Sequence, residues 1–294
     1  MKVLLCGSDG QLGSDCTEVL KPRYEVLPVD LEDLDITDPT DVDTMVRQYS
    51  PDIILNCAAY TSVDDCETEK SLSWSVNADG PRNLAIAAKK HGARLIHIST
   101  DYVFSGNKKV PEPYSEEDEP TPLSYYGKTK FAGEQAIRET IDSHAIVRTA
   151  WLYGFQGHNF LKTMLRLALQ NPHKQIKVVN DQFGSPTWSY RLALQIRELI
   201  EVRSHGTYHA TSAGYCTWYE MALCFLEKMG VPHSLIPCST EEYPTPAIRP
   251  KNSILENRRL MAAGIDIMPL WKDDLSEFVS TYRERLINEA KREK

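Results

Sequence analysis

Apolar positions along this chain follow two rhythms. In the first half, short apolar runs alternate with longer stretches in which apolar residues recur every three or four positions. A short run bounded by turn residues suits a strand buried on both faces of a parallel sheet, and the wider spacing suits a helix with one face inward. The runs are 2–6, 25–30, 52–57, 94–100 and 145–149. Asp38-Pro39 opens a helix with an acid at the cap and proline at the first helical position. Val42, Met45, Val46 and Tyr49 form its inward stripe. A further helix runs over 81–90 and stops at Gly92. The alternation predicts an α/β fold of Rossmann type, a doubly wound parallel sheet in a dinucleotide-binding domain over 1–150.

The second half is less regular. Helices are expected at 160–169, 190–202, 218–229 and 270–289, and strands at 176–179 and around 206–208. Residues 106–122 and 181–187 read as loops. The segment 244–250 is too proline-rich for regular structure, and its Arg249 suits either a phosphate or a surface carboxylate. We expect a smaller C-terminal substrate-binding domain over 151–294, with some elements packing back on the first sheet.

Composition narrows the function classes. With 294 residues, 41% hydrophobic and 25% charged, the chain is long enough for a large core and is ordinary globular protein. A net charge of −8 with interspersed signs argues against a nucleic-acid surface. The N-terminus enters a strand pattern at once, and no apolar run is long enough to cross a bilayer. The seven cysteines contain no Cys-x-x-Cys pair. Free thiols, with Cys6 and Cys57 as small buried apolar groups, and a cytoplasmic location are the expectation.

The candidate chemistry lies at the ends of the strands. Gly7-Ser-Asp-Gly10-Gln-Leu-Gly13 follows the first strand, and glycines there let backbone N–H groups reach a pyrophosphate at a helix start. Asp30 ends the second strand. An acid there accepts from ribose hydroxyls and repels a 2′-phosphate, which leans toward NADH; Asp33, Asp35 and Asp38 are nearby alternatives. Ala58, Ala59, Tyr60 and Thr61 follow the third strand, where small residues let a cofactor lie close. Ser99 and Thr100 end the next strand on opposite faces, so one hydroxyl faces a ligand. Tyr126 and Lys130, four apart on a helix, point the same way. An ammonium beside the phenol favours the phenolate and lowers the tyrosine toward the working range. No metal is expected: the cysteines lack ligand spacing, and a strand over 206–208 would hold His205 and His209 apart.

Glycine loop, acid after the second strand, Thr100 and Tyr126-x-x-x-Lys130 together resemble the extended short-chain dehydrogenase/reductase family, in its nucleotide-sugar branch. Matching stretches run almost end to end. They include Asn56-Cys-Ala-Ala-Tyr-Thr-Ser-Val-Asp64, Ser99-Thr-Asp-Tyr-Val-Phe104, Arg148-Thr-Ala-Trp-Leu-Tyr-Gly154 and Tyr243-Pro-Thr-Pro-Ala-Ile-Arg-Pro250. The resemblance implies reduction of a dTDP-linked 4-keto sugar with NADPH or NADH. It implies Tyr126 as proton donor, Lys130 as the group that holds the nicotinamide ribose, and Thr100 as a second bond to the same oxygen. Asp101 and Trp151 would contact the sugar nucleotide. Gly7, Gly10, Gln11, Leu12, Asp30, Asp35, Ile36, Ala58, Ala59 and Thr61 would line the dinucleotide. Some members carry interface magnesium on glutamates; here Asp15 and Tyr190 stand at such positions, so a monomer or weak homodimer without that metal is expected. Related dehydratases place an acid directly after Thr-Asp, where this chain has Tyr102.

Overall fold

A computed structural model of the chain describes residues 1–203 and 205–292. Six strands form one parallel sheet: β1 (Lys2–Cys6), β2 (Glu25–Val29), β3 (Ile53–Asn56), β4 (Arg94–Thr100), β5 (His144–Thr149) and β6 (Gly206–His209), in the order β6-β5-β4-β3-β1-β2. The strand order reverses between β1 and β3, and an open α/β sheet binds ligands outside the strand ends at that point.

Strand side chains alternate between the faces, and each face has its own core. Val3, Leu5, Leu55, Ile96 and Val147 pack with Leu12, Cys16, Leu192 and Ile196 of the helices α1 (Gln11–Leu20) and, later in the chain, Ser189–Glu201. Leu4, Cys6, Ile54, Leu95 and Ile146 meet α2 (Pro39–Tyr49), α3 (Gly80–His91) and α4 (Tyr125–Thr140) through Val42, Val46, Leu84, Ala88 and Ile137. Asp38 caps α2 by accepting from the amides of Thr40 and Asp41, and Gly92 ends α3 in the left-handed conformation at φ 75°.

Past residue 150 the chain returns to the sheet twice, as the helix Ser189–Glu201 (α6) against α1 and as β6 beside β5. The remainder forms another core. There α5 (Phe160–Gln170), α7 (Trp218–Met229) and α8 (Trp271–Arg292) enclose Leu161, Leu165, Phe225, Leu226, Trp271, Leu275 and Phe278. Two expected loops hold more order than their composition suggests. Residues 183–184 pair with 216–217 and 252–253, and 187–188 pair with 152–153; two-residue strands are too short to leave a period in the sequence. Within 106–122, Tyr114 stacks on Phe104 at 4.4 Å, and the Glu116 carboxylate accepts from the amides of His209 and Arg259. No helix among the described residues is long and apolar enough to cross a membrane.

One buried carboxylate fixes α4 on the sheet. Glu134 is fully enclosed. It accepts from Ser99 Oγ of β4 at 2.6 Å, from Nε and Nη2 of Arg148 on β5 at 2.8 and 2.7 Å, and from Arg138 at 2.6 Å. Burial alone would raise this acid; the two guanidinium groups and the serine outweigh it and hold it below the usual carboxylate range. Breaking a buried ion pair by removing one charge costs about 3–5 kcal/mol. Glu134→Gln should therefore lower the unfolding free energy by that order, read from denaturant titration; an unchanged value would show that α4 is held by its apolar contacts alone.

Candidate active site

The cleft forms at the strand ends where the order reverses, and the glycine turn builds one wall. Gly7 adopts φ 78°, and a Cβ on it would fall 2.6 Å from the Ala58 amide nitrogen. A Cβ on Gly13 would sit 1.9 Å from the Gly7 carbonyl oxygen, so only glycine lets α1 start this close to β1. The start of α1 at Gly10 carries no side-chain cap, which leaves first-turn N–H groups for an anion.

A cavity of about 580 Å³ opens from this turn. Gly10, Gln11, Leu12, Ala59 and Thr61 line its cofactor-side wall, and Thr100, Asp101, Tyr126, Lys130 and Trp151 line the rest. Five expected cofactor residues, Gly7, Asp30, Asp35, Ile36 and Ala58, stand outside that lining. Asp30 holds the glycine turn by accepting from the Asp9 amide at 2.9 Å, Asp35 accepts from the amide and hydroxyl of Thr37, and the Ile36 side chain is core packed against Gly80. Gly7 and Ala58 act from behind, as the close contact that shapes the turn.

The structure decides the choice between the hydroxyls of β4. Ser99 is committed to Glu134, whereas Thr100 Oγ1 donates to Asp101 Oδ1 at 3.0 Å and accepts from the Tyr102 amide. The other Asp101 oxygen is buried without a partner, and so is the Thr149 hydroxyl on the same cavity wall. Buried groups of this kind ordinarily have partners, and both residues belong to the wall of a ligand-sized space.

Helix α4 begins at the Ser124 cap, whose side chain accepts from the Gly127 amide, and so turns Tyr126 and Lys130 into the cleft one above the other. Gly127 and Gly133 let the helix approach Tyr102 and Asn77, whose carbonyl oxygens a Cβ would reach at 2.2 and 2.3 Å. The electrostatics differ from the sequence expectation. Burial pushes the Tyr126 phenol well above its ordinary value, with the Thr100 hydroxyl pulling the other way and Asp101 adding to the rise. Lys130 does not reverse this, because its Nζ donates to the Ile98 carbonyl at 2.7 Å, and burial lowers the lysine to about 8.

Several polar residues that the sequence reading passed over frame these groups. Asn77 accepts from the Tyr60 amide and donates to the Tyr60 carbonyl and the Thr129 hydroxyl, joining the segment after β3 to α4. Asn56 and His97 are polar residues inside apolar strand runs, and that misfit was the signal available. Arg249 meets a carboxylate: it pairs with Asp64 through two bonds of 3.0 and 2.8 Å. Cys57 is half-buried on the cavity wall rather than enclosed, while Cys6 is core. Asp15 is buried and bound by Ser189 Oγ, and Tyr190 packs on Trp188. Among the described residues no group of three or more His, Cys, Asp or Glu is placed to hold a metal ion.

The cleft has an open helix start suited to a pyrophosphate, and a phenol and an amine stand on its far wall. The chain is an NAD(P)H-dependent oxidoreductase on a Rossmann sheet. It matches the family model described as RmlD substrate binding domain over residues 1–284, and it belongs to that family. It is 40% identical to the spore coat polysaccharide biosynthesis protein SpsK of Bacillus subtilis, across 95% of this chain and 96% of that one. It is 39% identical to a dTDP-4-dehydrorhamnose reductase of Escherichia coli, across 92% and 95%. The crystal structure of a dTDP-4-dehydrorhamnose reductase from Bacillus anthracis in complex with NADP superposes with a TM-score of 0.92 at 42% identity, across 95% and 99%.

Asp101 gives the site a pH signature. Burial raises its carboxyl from 3.8 to about 6, against the pull of the nearby Ser253 and Thr100 hydroxyls. An acid raised in the folded state contributes fully below its unfolded value, and that contribution is lost as pH rises through the folded value. A rise of about two units corresponds to roughly 3 kcal/mol at most. Asp101→Asn should thus stabilise the protein at pH 8 more than at pH 4, read as the difference in melting temperature between mutant and wild type. A difference independent of pH would place the ionisation elsewhere.

Proposed function

We propose that the protein reduces dTDP-4-dehydro-L-rhamnose to dTDP-L-rhamnose with NADPH or NADH. The observation that carries this reading is that Thr100, Asp101, Tyr126, Lys130 and Trp151, drawn from both halves of the chain, line one cavity with the glycine turn. The residues present fit the cofactor: an uncapped helix start for its pyrophosphate, small residues at the end of β3, and Lys130 within the cavity for a ribose hydroxyl. When bound, the reduced nicotinamide supplies the hydride that adds to the sugar C4.

The chain's own residues handle the oxygen and the proton. Negative charge develops on the C4 oxygen, and Tyr126 gives it the phenolic proton. Burial keeps that proton on the tyrosine until a stronger base, the developing alkoxide, is in reach. Thr100 donates to the same oxygen by turning its one hydroxyl proton away from Asp101 Oδ1, where it rests without substrate. Tyr102, at the position where a dehydratase would carry an acid, is half-buried, meets the Tyr126 ring edge-on at 5.6 Å, and lacks the acidity for elimination. The sugar nucleotide is expected to lie over the wall made by residues 151–160. Trp151 there adopts φ 46° and stacks on Trp218 at 3.6 Å.

Incubation with NADH or NADPH and the 4-keto-L-sugar nucleotide, with the product identified by NMR, tests the assignment. An unchanged sugar, or one epimerised without net oxidation of the cofactor, would overturn it.

Tyr126→Phe should lower kcat by about 10²–10⁴-fold with cofactor affinity retained. Tyr125→Phe should be much milder, since the Tyr125 ring faces Lys70 instead. Near-full kcat in Tyr126→Phe would remove the tyrosine from the proton transfer. Trp151→Ala should raise KM for the sugar nucleotide and leave NADH affinity nearly unchanged. A fall in melting temperature with KM intact would make this indole a packing group only.

A further inference from the structure

Among the described residues, His97 is the histidine bonded to a proposed catalytic group, and the proposed reaction does not use it. It lies at the centre of β4, fully enclosed. Its Nδ1 is 3.0 Å from Asn56 Nδ2, and its Nε2 is 3.3 Å from Lys130 Nζ. The orientation of the Asn56 amide is determined independently, because Asn56 Oδ1 accepts from the Ala58 amide at 3.0 Å. A flipped amide would set its NH₂ against that N–H. Asn56 therefore presents a donor to His97, and His97 Nδ1 must be the bare, accepting nitrogen. The ring proton is left on Nε2, pointing at Lys130.

We propose, resting on the reductase reading above, that His97 is a positioning residue: locked by Asn56 in the Nε2–H tautomer, it turns a donor toward Lys130 Nζ and so favours the amine over the ammonium. An ammonium has no lone pair to accept that N–H, whereas an amine does and still donates to the Ile98 carbonyl. Burial of the ring keeps the imidazole neutral, so it cannot relieve the conflict by ionising.

The other charges around Lys130 act in the opposite sense or are already engaged. Glu134 lies one turn further along α4 and favours the ammonium, but its carboxylate is tied to Arg148, Arg138 and Ser99. Cys57, beyond the end of β3, also favours the ammonium, and Tyr126 holds its proton. Lys130 is nonetheless lowered to about 8, with burial the largest cause, and the His97 donor acts in the same direction. The lysine then titrates within the working range and can exchange a proton with the tyrosine's side of the cleft, rather than standing as a permanent charge.

Two measurements on the full chain test this. In ¹⁵N-histidine NMR, the His97 ring, identified by its loss in His97→Leu, is expected as the neutral Nε2–H tautomer from about pH 5 to pH 9. An Nδ1–H tautomer, or a ring that titrates in that range, would overturn the proposal. In the pH profile of kcat for sugar reduction, the ionisation near the lysine's value should move up by about one unit in His97→Leu. It should return in His97→Gln, whose amide offers an acceptor to Asn56 and a donor to Lys130. A purely structural role would lower the melting temperature and leave that ionisation in place, and an unmoved ionisation in folded His97→Leu overturns the proposal. If His97→Leu does not fold, the His97 signal is assigned with His97→Gln and the tautomer still decides. If the wild-type protein reduces no 4-keto sugar nucleotide, the function assignment fails while the tautomer measurement stands on its own.

Discussion

The site depends on the buried Glu134 carboxylate. Tyr126, Lys130 and Glu134 follow one another at intervals of four on α4 and share one face. The first two face the cleft; the third is bound to Ser99 of β4 and Arg148 of β5, with Arg138 on its own helix closing the set. A helix held at one end of a face by three charge-assisted bonds to the sheet cannot rotate about its axis without breaking them. The angle at which the phenol and the amine enter the cleft is thereby set about one and two turns away from the chemistry. The same serine–threonine pair at the end of β4 serves both purposes, Ser99 for the anchor and Thr100 for the cavity.

Burial then sorts the protons. Removing water disfavours charge on both groups, so it drives the tyrosine up and the lysine down. The proton sits firmly on the phenol and loosely on the amine. That is the resting state the proposed proton donor requires, and it follows from enclosure more than from attraction between the two residues.

Polar contacts join the two halves of the chain across the cleft. Asn159 caps α5 and also donates to Gln11 of the glycine turn at 2.9 Å, so the start of α5 is registered against the start of α1. Arg249 and Asp64 tie the proline-rich segment to the segment after β3, beside Tyr102. Ser189 reaches Asp15, whose carboxyl burial raises to about 6, and binds α6 to α1. These side-chain bonds act beside the apolar packing of α6 on α1 and fix orientation where they join segments.

The sequence by itself determined the parallel sheet, the glycine turn and the Tyr126–Lys130 pair. Those rest on local rules: short apolar runs, capping residues, glycines where a Cβ would collide, and two side chains four apart on a helix. It also singled out the strand-end segments, because the end of a strand in an α/β sheet is a fixed place. What only the tertiary structure decided involves partners far apart in the chain. Which of Ser99 and Thr100 faces the cleft depends on Glu134, and whether Arg249 meets a phosphate or a carboxylate depends on Asp64. The ionisation of Tyr126 was read with the wrong sign because the sequence shows the neighbour on the helix and not the enclosure around it. The two-residue strands of the second half, and the roles of Asn56, Asn77 and His97, escaped for the same reason. A strand without a period and a polar residue within an apolar run acquire meaning only when the groups they bond to are brought beside them.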